Sequence, residues 1–153
     1  MRPWVKAVVF AGPVTLALLG AAAIWVTKNK PATSADHENA TLVAHGKQIY
    51  ADHCAACHGA NLEGQPDWMK HLPNGRLPAP PHDPSGHTWH HSDGRLFLII
   101  KDGLGDDYET DMPLFKDVLS DHDIWATLAF IKSTWPEAIR AKQPRPRPAP
   151  PAN

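Results

Sequence analysis

Cysteine is scarce in this chain: two residues in 153, Cys54 and Cys57. A single closely spaced pair excludes a disulfide framework. Acidic residues are missing from the first thirty positions, which carry Arg2, Lys6, Lys28 and Lys30. The formal net charge of −1 therefore hides an asymmetry, because residues 31–153 hold eleven basic side chains against sixteen acidic ones. No basic stripe forms anywhere, which argues against a nucleic-acid partner. The acidic part instead favours a partner with a basic docking face. Methionine is also rare: Met1, Met69 and Met112. No internal repeat occurs. What the chain does have is proline and histidine, sixteen and ten residues. So much proline points to loops and tails rather than a large sheet. The length allows one small domain with additions, not two full domains.

Residues 7–26 are uncharged and mostly apolar, flanked by Lys6 and Lys28. Twenty such residues suffice for one helical crossing of a bilayer. Pro13 is tolerated in a membrane helix, and Trp4 and Trp25 fall where an interfacial belt would put them. A cleaved export signal is the competing reading, with Ala21-Ala22-Ala23 as the cleavage site. The apolar run continues through Ile24, Trp25 and Val26, which favours an uncleaved anchor. We therefore expect residues 1–30 to form a signal-anchor helix and 31–40 a polar linker. Residues 41–142 should form the folded domain, and 143–153 a proline-rich extended tail.

Within that domain three helices are expected. The first covers roughly 41–52, with Leu42, Val43, Gly46, Ile49 and Tyr50 on one side. The second runs from Ser92, as N-cap, to Lys101, turning Leu96, Phe97, Ile99 and Ile100 inward and ending at Gly103 and Gly105. The third starts at the capping box Ser120-Asp121-His122-Asp123 and carries Ile124, Trp125, Leu128 and Ile131 at helical spacing. Pro136 ends it or opens a further turn through Lys142. Residues 59–90 contain six prolines and four glycines and should form a long loop. Such a stretch belongs in a compact domain only if it covers something.

The sequence Cys54-Ala55-Ala56-Cys57-His58 supplies that object. Two thiols three apart can each add to one vinyl group of a haem, and the next histidine can reach its iron. A zinc site would need a second pair of ligands, and a thioredoxin-like dithiol a preceding strand; neither pattern is present. We therefore expect one covalent c-type haem on Cys54 and Cys57 with His58 as proximal ligand. Covalent attachment of this kind, together with the leader, places the haem domain outside the cytoplasm: a single-pass protein of a bacterial inner membrane, facing the periplasm. Release into the periplasm after cleavage is the alternative.

Residues 41–135 resemble the class I cytochromes c, in particular bacterial membrane-anchored members with one haem. Gly46-Lys47-Gln48-Ile49-Tyr50 followed by CAACH-Gly59 looks like the family's N-terminal helix entering the haem site. Ala79-Pro80-Pro81-His82 resembles the family's Pro-x-Leu stretch, whose proline carbonyl accepts a hydrogen bond from the proximal histidine, with His82 in place of leucine. Asp111-Met112-Pro113-Leu114-Phe115 is similar to the loop that supplies the second axial ligand. LSDHDIWATLAFIKS, from Leu119, is similar to the C-terminal helix, with Phe130 at the aromatic position that crosses near Gly46 and Tyr50.

The resemblance implies an all-α domain of three to four short helices around one haem. It implies iron held by His58 and Met112, with Pro80 behind His58. Met112 is preferred over Met69, which stands beside Trp68 and is assigned to covering an edge or filling a gap. His/Met ligation closes the iron and raises its potential. The acidic residues Asp102, Asp106, Asp107, Glu109 and Asp111 would lower it again. Trp89 and Arg95 are candidates for the haem propionates. His82, His87, His90 and His91 could hold a second metal, copper or zinc, but are read as surface or hydrogen-bonding groups. Trp68 and Trp125 are expected in the core. The function expected is electron transfer between redox proteins of a respiratory chain, with no small-molecule substrate and no bond chemistry. A haem-bearing subunit of a larger membrane oxidase or dehydrogenase is the alternative.

Overall fold

A computed structural model of the chain describes residues 32–105 and 109–144. The expected anchor at 1–30, the acidic residues Asp106 and Asp107, and most of the expected tail lie outside these. The described residues form helices and short turns and contain no strand. Among them no helix is long and apolar enough to cross a membrane.

Helix α1, Ala40–His53, begins at Asn39, whose side chain accepts from the Leu42 N–H. Capping of this kind satisfies a donor that the first turn leaves free. Leu42, Gly46 and Tyr50 are buried along it, spaced by four residues on one face. Helix α2, Ala55–His58, is a single turn that follows at once. Helix α3, Asp93–Asp102, is capped by Ser92 and ends at Gly103. Helix α4, Asp121–Ser133, opens on a complete capping box in which Ser120 and Asp123 satisfy each other's backbone. Helix α5, Glu137–Arg140, is one further turn behind Pro136. The expected three or four helices are thus three full helices and two single turns. Periodicity cannot reveal elements as short as α2 and α5.

The fold is organised by α1 packing on α4, with α3 packed on α4 as well. Gly46 sits at the α1–α4 crossing, where a Cβ would lie 1.8 Å from the Ala126 carbonyl oxygen. Only glycine lets the two backbones approach this closely. Phe130 meets Tyr50 across the same interface, ring centroids 5.4 Å apart. Two larger core clusters result. One joins Leu96, Phe115, Leu119, Ile124 and Leu128, with Phe97, Ile100, Met112 and Trp125 packed against it. The other joins Tyr50, Leu62, Ile131 and Trp135. Trp125 stacks on Phe97 at 4.4 Å. Trp68 departs from its expected place in the core: it is half-buried and stacks on His87 at 5.2 Å.

Residues 59–90 are irregular except for the 3-10 turn Thr88–His90. Backbone bonds nevertheless fold the stretch onto itself. The Gln65 N–H donates to Ala79 O at 2.9 Å, and the His82 and Asp83 N–H groups both donate to Leu62 O. Gly64 makes the close approach possible, with φ of 69° and Pro81 N only 2.5 Å from where a Cβ would stand. The run Ala79–His82 is thereby held against the residues that follow α2.

Candidate haem site

The motif residues are presented by the end of α1. The Cys54 N–H still donates to Tyr50 O, and His58 N–H donates to Cys54 O at 2.9 Å. A helical turn puts positions three apart on one face, so both sulfurs share a side. Neither cysteine is in a disulfide; Cys57 is exposed and Cys54 half-buried. Burial, with the neighbouring Cys57, pushes the Cys54 thiol up to about 11.

His58 is buried. Its Nδ1 lies 2.8 Å from Pro80 O. A carbonyl only accepts, so Nδ1 carries the proton and Nε2 is left with a free lone pair. Burial holds the His58 pKa below the ordinary histidine value, against the opposing pull of the Pro80 bond. The ring is therefore neutral and ligand-competent at neutral pH.

His82 stacks on His58, centroids 4.0 Å apart and planes 22° from parallel. Burial, then His58 and His87, hold the His82 pKa well below the ordinary value. Its Nδ1 lies 2.8 Å from Thr88 Oγ1, and Trp135 Nε1–H donates to its carbonyl at 2.7 Å. His90 packs against Trp89 at 3.8 Å, and His87 meets His91 edge-on at 5.5 Å. Among the described residues, no three His, Cys, Asp or Glu side chains converge as a metal site would need.

Met112 is half-buried against the α3–α4 core, and its N–H donates to Thr110 Oγ1. Asp111 beside it pairs with Arg76, joining this loop to the 59–90 stretch. Met69 is 73% exposed. Trp89 Nε1 is the one side-chain polar atom that is buried without a hydrogen-bond partner among the described residues. An orphaned buried donor is costly unless a bound group supplies the acceptor. Lys142 lies over the Trp89 ring, and Arg95 is exposed on α3, in no ion pair with a described carboxylate. Two free thiols on one turn, a histidine with a free Nε2 and an unmatched indole donor together fit a haem c. Sequence alone missed Trp135, buried at 1% exposure, and Thr88, the partner of His82. Trp135 continues the helical spacing of Ile124, Leu128 and Ile131, a signal that could have found it; Thr88 falls in no motif and on no periodic face.

The cytochrome c family model matches residues 43–135, more than half of the chain. The chain belongs to the cytochrome c family. A haem c attached through thioethers, with its iron, and haem-based electron transfer follow from that membership. The chain is similar to the cytochrome bc1 complex cytochrome c subunit of Mycobacterium leprae, 39% identical over 54 residues. That match covers 35% of this chain and 19% of the relative. The proteins so named from Mycobacterium bovis and Mycobacterium tuberculosis are 37% identical over 54 residues, with the same coverage. The chain thus spans about a fifth of the length of the curated relatives it matches. No solved structure gives a significant match.

Proposed function

We propose that this chain passes single electrons between redox proteins of a respiratory chain through one covalent haem. Cys54 and Cys57 would hold the haem, and His58 Nε2 and Met112 Sδ would be the donors to its iron. The observation that carries the reading is the His58 ring: its Nδ1–H is held by Pro80 O at 2.8 Å, which leaves only Nε2 to bind metal. Met112 is favoured over Met69 because it rests on the core while Met69 faces solvent. The haem supplies a centre that gains and loses one electron. The chain's part is to keep that centre in a fixed coordination. Pro80 holds the Nδ1 edge of the His58 ring, and the Arg76–Asp111 pair restrains the loop carrying Met112. Trp89 Nε1 and Arg95 are assigned to the propionates, one as neutral donor and one as charge partner. The leader at 1–30 is assigned to anchoring, with the haem domain in the periplasm.

The ferric spectrum tests this reading. A Met–iron charge-transfer band in the far red should be present, vanish in Met112→Ala and survive in Met69→Ala. Its survival in Met112→Ala would remove Met112 from the account. A second reading is favoured by the relatives, which are named as subunits of a bc1 complex. There the domain would be a fixed haem-bearing subunit. Purification of the full chain in mild detergent separates the two: stoichiometric partner subunits mark the fixed subunit, and the chain alone marks a carrier.

A further inference from the structure

We propose that His82 is a positioning residue that sets the rotational angle of the His58 imidazole. The proposal rests on His58 being the proximal donor. A hydrogen bond from Nδ1 to Pro80 O fixes one edge of the His58 ring, at 2.8 Å. One such bond still lets the ring swing about the line joining the two atoms. The flat face of His82, 4.0 Å away and 22° from parallel, blocks that swing.

The blocking residue is held at three points, two on its backbone and one on its ring. Its backbone N–H donates to Leu62 O at 2.8 Å. Its carbonyl accepts from Trp135 Nε1–H at 2.7 Å, and Trp135 is one of the largest fully buried side chains. Its Nδ1 meets Thr88 Oγ1 at 2.8 Å, and the buried Thr88 hydroxyl also reaches Pro81 O at 3.4 Å. The consistent assignment has the Thr88 hydroxyl donating to Pro81 O and accepting from His82 Nδ1–H. The Tyr50 ring meets His82 edge-on at 6.3 Å. A leucine at position 82 could fill the volume but offers no flat face and needs no Thr88. The histidine with its threonine partner is thus a built stack rather than space filling, since its ring nitrogen meets the hydroxyl of the buried Thr88.

The orientation of an axial imidazole plane is read by the paramagnetically shifted haem methyl resonances of the oxidised protein. In the full-length haem-loaded protein, His82→Leu should reorder those resonances, while His82→Phe, which keeps a flat face, should preserve their order. An unchanged order in His82→Leu overturns the proposal. So does the same reordering in both variants. If His82→Leu fails to load haem, His82→Met, which also lacks a flat face, decides: a changed order supports the proposal and an unchanged one overturns it. Failure of the underlying reading shows elsewhere, as a His58→Ala protein that keeps the wild-type low-spin pattern.

Discussion

At the scale of single residues, the site is a problem of leaving the right atoms free. His58 spends Nδ1 on Pro80 and keeps Nε2. Trp89 keeps an indole donor with nothing to meet it among the described residues. A bond from that donor to an ionised propionate is worth about 2 kcal/mol. Trp89→Phe should therefore lower the stability of the haem-loaded protein by about that amount in denaturant titration. No loss would mean that Nε1 bonds nothing in the holoprotein. The residues of the motif were legible because their spacing is chemistry in itself. Pro80 was legible only through resemblance, since a carbonyl 22 positions from the histidine leaves no local trace. The bonds that Trp135 and Thr88 make to His82 were not legible, because they depend on how the 59–90 stretch folds back. That folding is carried by backbone bonds such as His82 N–H to Leu62 O, which have no side-chain pattern.

Among the elements, the helices wrote their own limits. Ser92 and Ser120 cap where the sequence expects them, and Gly103 closes α3. Ser120→Ala should cost about 1 kcal/mol in thermal unfolding at neutral pH. Burial raises the Asp123 carboxyl, but hydrogen bonds from Ser120 and His45 together outweigh it and hold its pKa below the ordinary carboxylate value. A carboxyl depressed in the folded state stabilises above its unfolded pKa, near 3.8, and loses that contribution as pH falls through the folded value. The gap between wild type and Ser120→Ala should therefore narrow below about pH 4. A gap that stays constant would show that the carboxylate takes no part in the cap. The α1–α4 crossing makes a harder demand. Gly46→Ala forces a methyl into the Ala126 carbonyl and should destabilise by about 3 kcal/mol or prevent haem loading. Normal stability would mean that the helices can separate at little cost. The sequence placed Gly46 on the inward face but could not give the distance, which belongs to two elements at once.

For the whole molecule, the charge asymmetry of the sequence becomes a statement about partners. An acidic domain attracts a basic docking face over a distance set by salt. The Debye length falls from about 30 Å at 0.01 M to about 8 Å at 0.15 M. Second-order electron exchange with a cationic redox protein should slow over that range in stopped flow, while exchange with a neutral small reagent should hardly change. Equal salt dependence for both would remove the electrostatic part of the account. The all-helical architecture and the family were legible from the motif and helical pattern together, and the match over 43–135 states the family plainly. The central proposal is a closed, one-electron haem. The most direct test is an optical redox titration of the full chain, with and without carbon monoxide. A ligand that binds only the ferrous form shifts the equilibrium toward it in proportion to its affinity. The account predicts a single reversible one-electron wave that carbon monoxide leaves in place. A wave displaced to higher potential by carbon monoxide would show an open iron and contradict it.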